Sequence, residues 1–215
     1  MKKICIFLVL LSITMSVFAQ QGLSVGIRLI PQASGILNKQ DFDAGDELNF
    51  ERTLGFSGGL ALGYGFSDNF GLMANLLYSK QGQKYINEEV DPSIKFRTDL
   101  GYFKIPLLLR MNTDPYKRAM FVCELGPEFG FLLNAESSSD SGSTDIKDNM
   151  NGLDLGIDLH LGAGINFSER LEADLLLRLN YGLSEIFAEE QVNLYGHDKT
   201  NNATAGIILG LNYRL

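Results

Sequence analysis

Asp158 and His160 stand two residues apart in GIDLHLGAGINF (156–167), a spacing that puts both side chains on one face of an extended strand. A carboxylate beside an imidazole is the orienting half of a hydrolase site, and the missing half is a nucleophile within reach of the base. No serine shares the polar face of 153–167 or of 171–183. Catalysis is therefore not expected, and His160 reads as one member of a wider charged set. Two other clusters suggest binding. DFDAGDE (41–47) begins like a calcium loop, with Asp41 and Asp43 ahead of Gly45, but lacks the later bidentate Glu. SSSDSGSTD (137–145) reads as a mobile, solvated loop. No cofactor motif and no metal site is identified, and His197 has no nameable partner.

The charges around His160 belong to strands. In LEADLLLRLNYGLSEI (171–186) a helix would scatter Glu172, Asp174 and Arg178 over a leucine surface. An extended chain separates them, with Leu171, Ala173, Leu175, Leu177, Leu179, Tyr181 and Leu183 on the other face. The same period of two recurs in eight segments: 22–30, 54–64, 70–79, 100–111, 119–132, 153–167, 171–183 and 203–215. One face of all eight carries no charge. The opposite face holds Arg28, Lys104, Arg110, Arg178 and Arg214 against Glu124, Glu128, Asp154, Asp158, Glu172 and Asp174, among many glycines.

A face without charge on every strand is what lipid requires, since Lys or Arg at mid-bilayer costs roughly 2–4 kcal/mol. A soluble barrel would need charge on the outside of each strand. The polar face of the second segment is Gly55, Ser57, Gly59, Ala61 and Gly63, which suits a crowded interior instead. Aromatics gather at both ends of the apolar face. Tyr64, Phe70, Phe121, Phe167 and Tyr213 lie near the short turns, and Phe56, Tyr78, Phe103, Phe131 and Tyr181 near the long connections. Such girdles mark membrane interfaces. Connections alternate between short turns and the long polar segments 31–53, 80–99, 133–152 and 184–202. The expected fold is an all-β, eight-stranded, antiparallel up-and-down transmembrane barrel with periplasmic turns and extracellular loops.

The flanks agree. Residues 1–19 are expected to be a secretory signal peptide: Lys2 and Lys3, an apolar run from Ile4 to Phe18, and a cleavage site at Val17-Phe18-Ala19. Residues 20–215 then form the barrel. Losing both lysines takes the formal net charge from −8 to −10, which gives no electrostatic case for nucleic acid. Cys5 leaves with the signal, and Cys123 is expected to face lipid as a small hydrophobe.

Five interior cations against six anions imply mutual pairing rather than a single-sign pore lining. Eight strands leave a lumen that side chains fill, so a plugged interior is expected. A tight turn at 168–170 places His160 opposite Arg178 and Asn166 opposite Glu172, with Asp158 diagonal to Arg178.

YFKIPLLLR (102–110), CELGPEFGFLL (123–133), LGAGINF (161–167) and LRLNYGLSEI (177–186) resemble, in order and spacing, the porin-like outer-membrane β-barrel family of Gram-negative bacteria that includes PorT-like proteins. The resemblance implies an eight-stranded barrel in the outer membrane and carries no catalytic motif. It raises a role as an accessory of protein secretion beside that of a structural or interaction protein acting through external loops. The partners expected are outer-membrane lipid and an envelope or secretion-complex protein.

Overall fold

The computed structural model describes residues 22–38, 49–86, 95–139, 142–188 and 200–215. The signal segment, the acidic stretch 41–47 and His197 lie outside them. Eight long strands form the wall: β1 Leu23–Asn38, β2 Asn49–Gly65, β3 Phe70–Ile86, β4 Lys95–Asn112, β5 Ala119–Ser139, then β7 Leu153–Asn166, β8 Leu171–Gly182 and β9 Thr200–Arg214. Between β5 and β7 lies the short β6, Gly142–Asp145, followed by one 3-10 turn. Neighbours pair antiparallel in chain order. The β1–β9 and β4–β5 ladders complete a circuit, so the wall has no free edge. Among the described residues no helix is long and apolar enough to cross a membrane.

The register fixes the tilt. Following partners around the wall from Leu23 leads through Tyr64, Leu72, Leu109, Leu125, Leu159, Leu179 and Ala205 to Ala33, ten residues further along β1. That stagger tilts the strands by about 40–45°. Phe70 to Tyr78 on β3 and Phe121 to Phe131 on β5 then measure roughly 19–23 Å along the barrel axis, close to the apolar band of an outer-membrane barrel. The protein is apolar outside and carries its charges within, among buried apolar side chains such as Leu77, Val122 and Leu176: Leu177 and Leu209 are about half exposed, whereas Arg178 beside Leu177 is fully buried.

Strand limits differ from those read in the sequence. β1 continues to Asn38, β3 to Ile86 and β5 to Ser139, while β2 begins at Asn49, β4 at Lys95 and β9 at Thr200. Much of what reads as loop is barrel wall standing above the loop-end girdle. There the outward face includes Lys80 and Lys84 of β3 and Glu136 of β5, because nothing apolar remains to be faced. The inward face stays polar with Gln32, Ser34, Gln81 and Gln83. SSSDSGSTD is likewise no simple loop: Ser137–Ser139 close β5, and Gly142–Asp145 form β6 paired back onto it.

The loop end of the lumen is filled by apolar side chains. Ile36, Leu100, Tyr102, Leu132 and Ala135 from the wall pack with Met150 and Ile186 from the connecting segments, and Ile146 and Phe187 lean on them. Asn151 ties the two segments together. Its amide Nδ2 donates to the carbonyls of Glu185 and Phe187 at 2.8 and 2.9 Å. Its backbone N–H donates to Ile186 O at 2.8 Å.

Candidate functional site: a charged column inside the barrel

Inward-pointing positions of β1, β4, β5, β7, β8 and β9 bring the charged set into one column. At its foot Arg214 binds Glu172 at 2.5 Å and is itself one-third exposed. Glu172 also receives Arg110 Nη2 at 2.5 Å. Arg110 is the hub: Nη1 donates to Glu124 at 2.6 Å and to Asp174 at 3.0 Å, and Nη2 to the second Asp174 oxygen at 2.9 Å. Arg28 branches from it, 3.4 Å from Asp174 and donating to Asn212 at 2.7 Å. Gly210 makes the room, since a Cβ there would stand 2.7 Å from Arg28 Nη1 and 3.1 Å from Asp174 Cβ.

His160 carries the column upward. Its Nδ1 lies 2.7 Å from Glu124, and its Nε2 lies 3.3 Å from Asp158 without hydrogen-bond alignment. Each ring nitrogen thus faces a different carboxylate, which sets the imidazole between Glu124 and Asp158. Beyond it Arg178 grips Asp158 with Nε at 3.0 Å and Nη2 at 2.8 Å, and donates to Glu128 and to Gln32. Lys104 ends the run, 2.6 Å from Glu128 with its ammonium 5.5 Å from the Tyr102 ring centre. The chain Arg214–Glu172–Arg110–Glu124–His160–Asp158–Arg178–Glu128–Lys104 thus alternates basic and acidic side chains from the turn-end girdle nearly to the loop-end girdle.

The register places His160 opposite Arg178 and Asn166 opposite Glu172, and the short turn after β7 explains both. Asp154 departs from the expected mutual pairing of charges. It accepts from Ser184 Oγ at 2.9 Å and Asn202 Nδ2 at 2.9 Å, because the strands pass it above the column at the level of the apolar cap. Neutral members escaped the sequence reading. Gln32 and Asn202 fall in, or at the edge of, segments that read as loop. Asn212 and Asn180 stand on the polar face and were distinguishable only by their neighbours. Cys123 is half-buried on the outward face. Among the described residues no group of three or more His, Cys, Asp or Glu could hold a metal ion.

The turn-end mouth opens into a vestibule of about 410 Å³ whose lining includes Ser24, Asp68, Arg110, Tyr116, Glu172 and Arg214. On its rim Tyr116 donates to Asp68 at 3.1 Å. That bond and the negative charge push the Tyr116 phenol above its ordinary value. Asp114 is held below its own value by the hydrogen bond from Lys117 first and the Tyr116 amide second. In an absorbance titration Tyr116 is expected to ionise above a free tyrosine, and Asp68→Asn to bring it back down; an unchanged titration in that variant refutes the pairing.

The family model for the outer membrane protein beta-barrel domain matches residues 18–188. No curated protein matches by sequence. Among solved structures, Neisserial surface protein A is similar at a TM-score of 0.51 and 12% identity, covering 90% of this chain and 97% of that one. Ail, the attachment invasion locus protein of Yersinia pestis, gives 0.49 and 16%, covering 91% and 99%. OprG of Pseudomonas aeruginosa gives 0.49 and 11%, covering 90% and 95%. At these identities the likeness is one of fold.

Proposed function

Since this chain belongs to the outer membrane protein beta-barrel domain family and resides in the outer membrane, we propose that it is a non-enzymatic interaction protein with a plugged lumen, working through its extracellular segments. The observation that carries this reading is the filled interior. Alternating ion pairs occupy the membrane-spanning length, and the apolar cluster around Tyr102 and Met150 lies above them. Little of the lumen is left for cargo. Planar bilayers holding the protein should give no sustained multi-nanosiemens conductance; such a conductance would sink the plug.

Charge is distributed to match. The segments 31–53, 80–99, 133–152 and 184–202 hold eight Lys and Arg against seventeen Asp and Glu. The interior is five against six, and the periplasmic turns are three against three. Nearly all the net charge therefore faces outward from the cell, which favours cationic partners and repels polyanions, nucleic acid included. Binding of polylysine to the protein in neutral-lipid nanodiscs should be strong at low salt and weaken as salt rises. Heparin should not bind. Equal binding of both polyions would remove the electrostatic argument.

The secretion-accessory role implied by the sequence resemblance would use the periplasmic vestibule instead, where Arg214 and Asp68 are accessible. Deletion that stops export of surface proteins, together with co-purification of export components, would favour that role. Export that continues unchanged leaves the loop-mediated reading in place.

A further inference from the structure

YFKIPLLLR and CELGPEFGFLL each set a proline inside a strand that lies between two others. A proline there removes a ladder hydrogen bond, and in lipid a carbonyl left unpaired is costly. Pro106 and Pro127 fall at nearly the same depth on adjacent strands. The β4–β5 ladder skips Leu107 and Leu108 opposite Gly126 and Pro127. The β3–β4 ladder skips Asn75 and Leu76 opposite Ile105 and Pro106. Pairing of β5 with β7 runs unbroken through Pro127 and Ile157, so the N–H that Pro127 lacks belongs on the β4 side. Pro31 interrupts β1–β9 in the same way, but β1–β2 continues past it. Below the loop-end girdle, β4 is the described strand whose backbone pairing lapses on both edges at one level. The side-chain oxygen of buried Asn75, beside that lapse, has no hydrogen-bond partner.

Side chains bridge what the backbone leaves open. Lys104 to Glu128 and Arg110 to Glu124, each 2.6 Å, both cross from β4 to β5 on the lumen side. One lies above the interruption and the other below it. We propose that β4–β5 is a lateral seam of the barrel, able to part toward the bilayer between 105–108 and 126–128, with these two ion pairs as its latches. The rest of the charged column then serves as the frame to which the latches are anchored: Glu128 through Arg178, and Glu124 through His160.

Hydrogen exchange of the full chain in nanodiscs tests this. Leu175–Leu177 of β8 provide the reference, since they lie near the same depth and pair without interruption on both sides. The amide of Leu107, which faces β5, should exchange about tenfold faster than the reference, whereas that of Leu108 faces the intact pairing with Met73 on β3 and serves as a local control. Pro127→Val returns a donor to the seam and should slow the Leu107 amide, whereas Lys104→Met should speed it further. Protection equal to that of β8 would overturn the proposal, as would rates indifferent to Pro127→Val. Should Lys104→Met fail to fold, the comparison of the native chain with Pro127→Val decides alone.

Discussion

Replacing Arg178 with methionine is expected to lower the unfolding free energy in detergent or bilayer by about 3–5 kcal/mol, the usual cost of breaking a buried ion pair by removing one partner. Arg178 is fully buried and satisfies three acceptors at once, Asp158, Glu128 and Gln32. Its loss leaves two carboxylates facing each other in a space that water enters poorly. Asp158 also holds His160 from the other side, so the defect propagates toward Arg110. The control is Arg214→Met. That guanidinium is one-third exposed at the periplasmic mouth, and removing it should cost roughly 1 kcal/mol or less. Removing Asp158 together with Arg178, as Asp158→Leu/Arg178→Met, should recover part of the loss, because one uncompensated charge goes with its partner. Urea titration of the folded band on a gel measures all three. Equal stability of Arg178→Met and Arg214→Met would mean that the column is wet and contributes little.

The same network shows why much of this molecule was legible in its sequence and some was not. Within the bilayer the outward face of every strand is apolar and every charge points inward, beside buried apolar residues such as Leu77, Val122 and Leu176, so a period of two identified the eight segments and the interior charges together. The three-residue connection SER then fixed the β7–β8 register, and with it the meeting of His160 and Arg178. Above the loop-end girdle the outward face meets water, and the alternation loses its contrast. β3 runs on through Lys80 and Lys84 because its backbone continues to pair, not because its side chains alternate in polarity. The apolar cap was hidden for a related reason. Ile36, Met150 and Ile186 are isolated apolar residues in polar surroundings, and only closure of the barrel brings them together. Asp154 looked like a seeker of cations, since Ser184 and Asn202 come from chain that reads as loop and its edge.

Leu177→Arg, one residue from Arg178 and on the opposite face, tests the orientation of the whole barrel. Leu177 is half exposed, and about half of the apolar band lies on either side of it along β8, between Leu171 and Tyr181. An arginine there has no interior carboxylate within reach and must face hydrocarbon, at a cost of roughly 2–4 kcal/mol. Leu183→Arg, at the external margin beyond Tyr181, should cost about 0–1 kcal/mol because its guanidinium reaches the headgroups. A barrel whose leucines faced a sealed interior would show no such dependence on depth, and there both substitutions would be severe. Adjacent residues thus report on opposite media. Leucine at 177 is needed because lipid is outside, and arginine at 178 because carboxylates are inside. The outer-membrane assignment predicts that exchanging their chemistry fails in both directions, most steeply at the middle of the band.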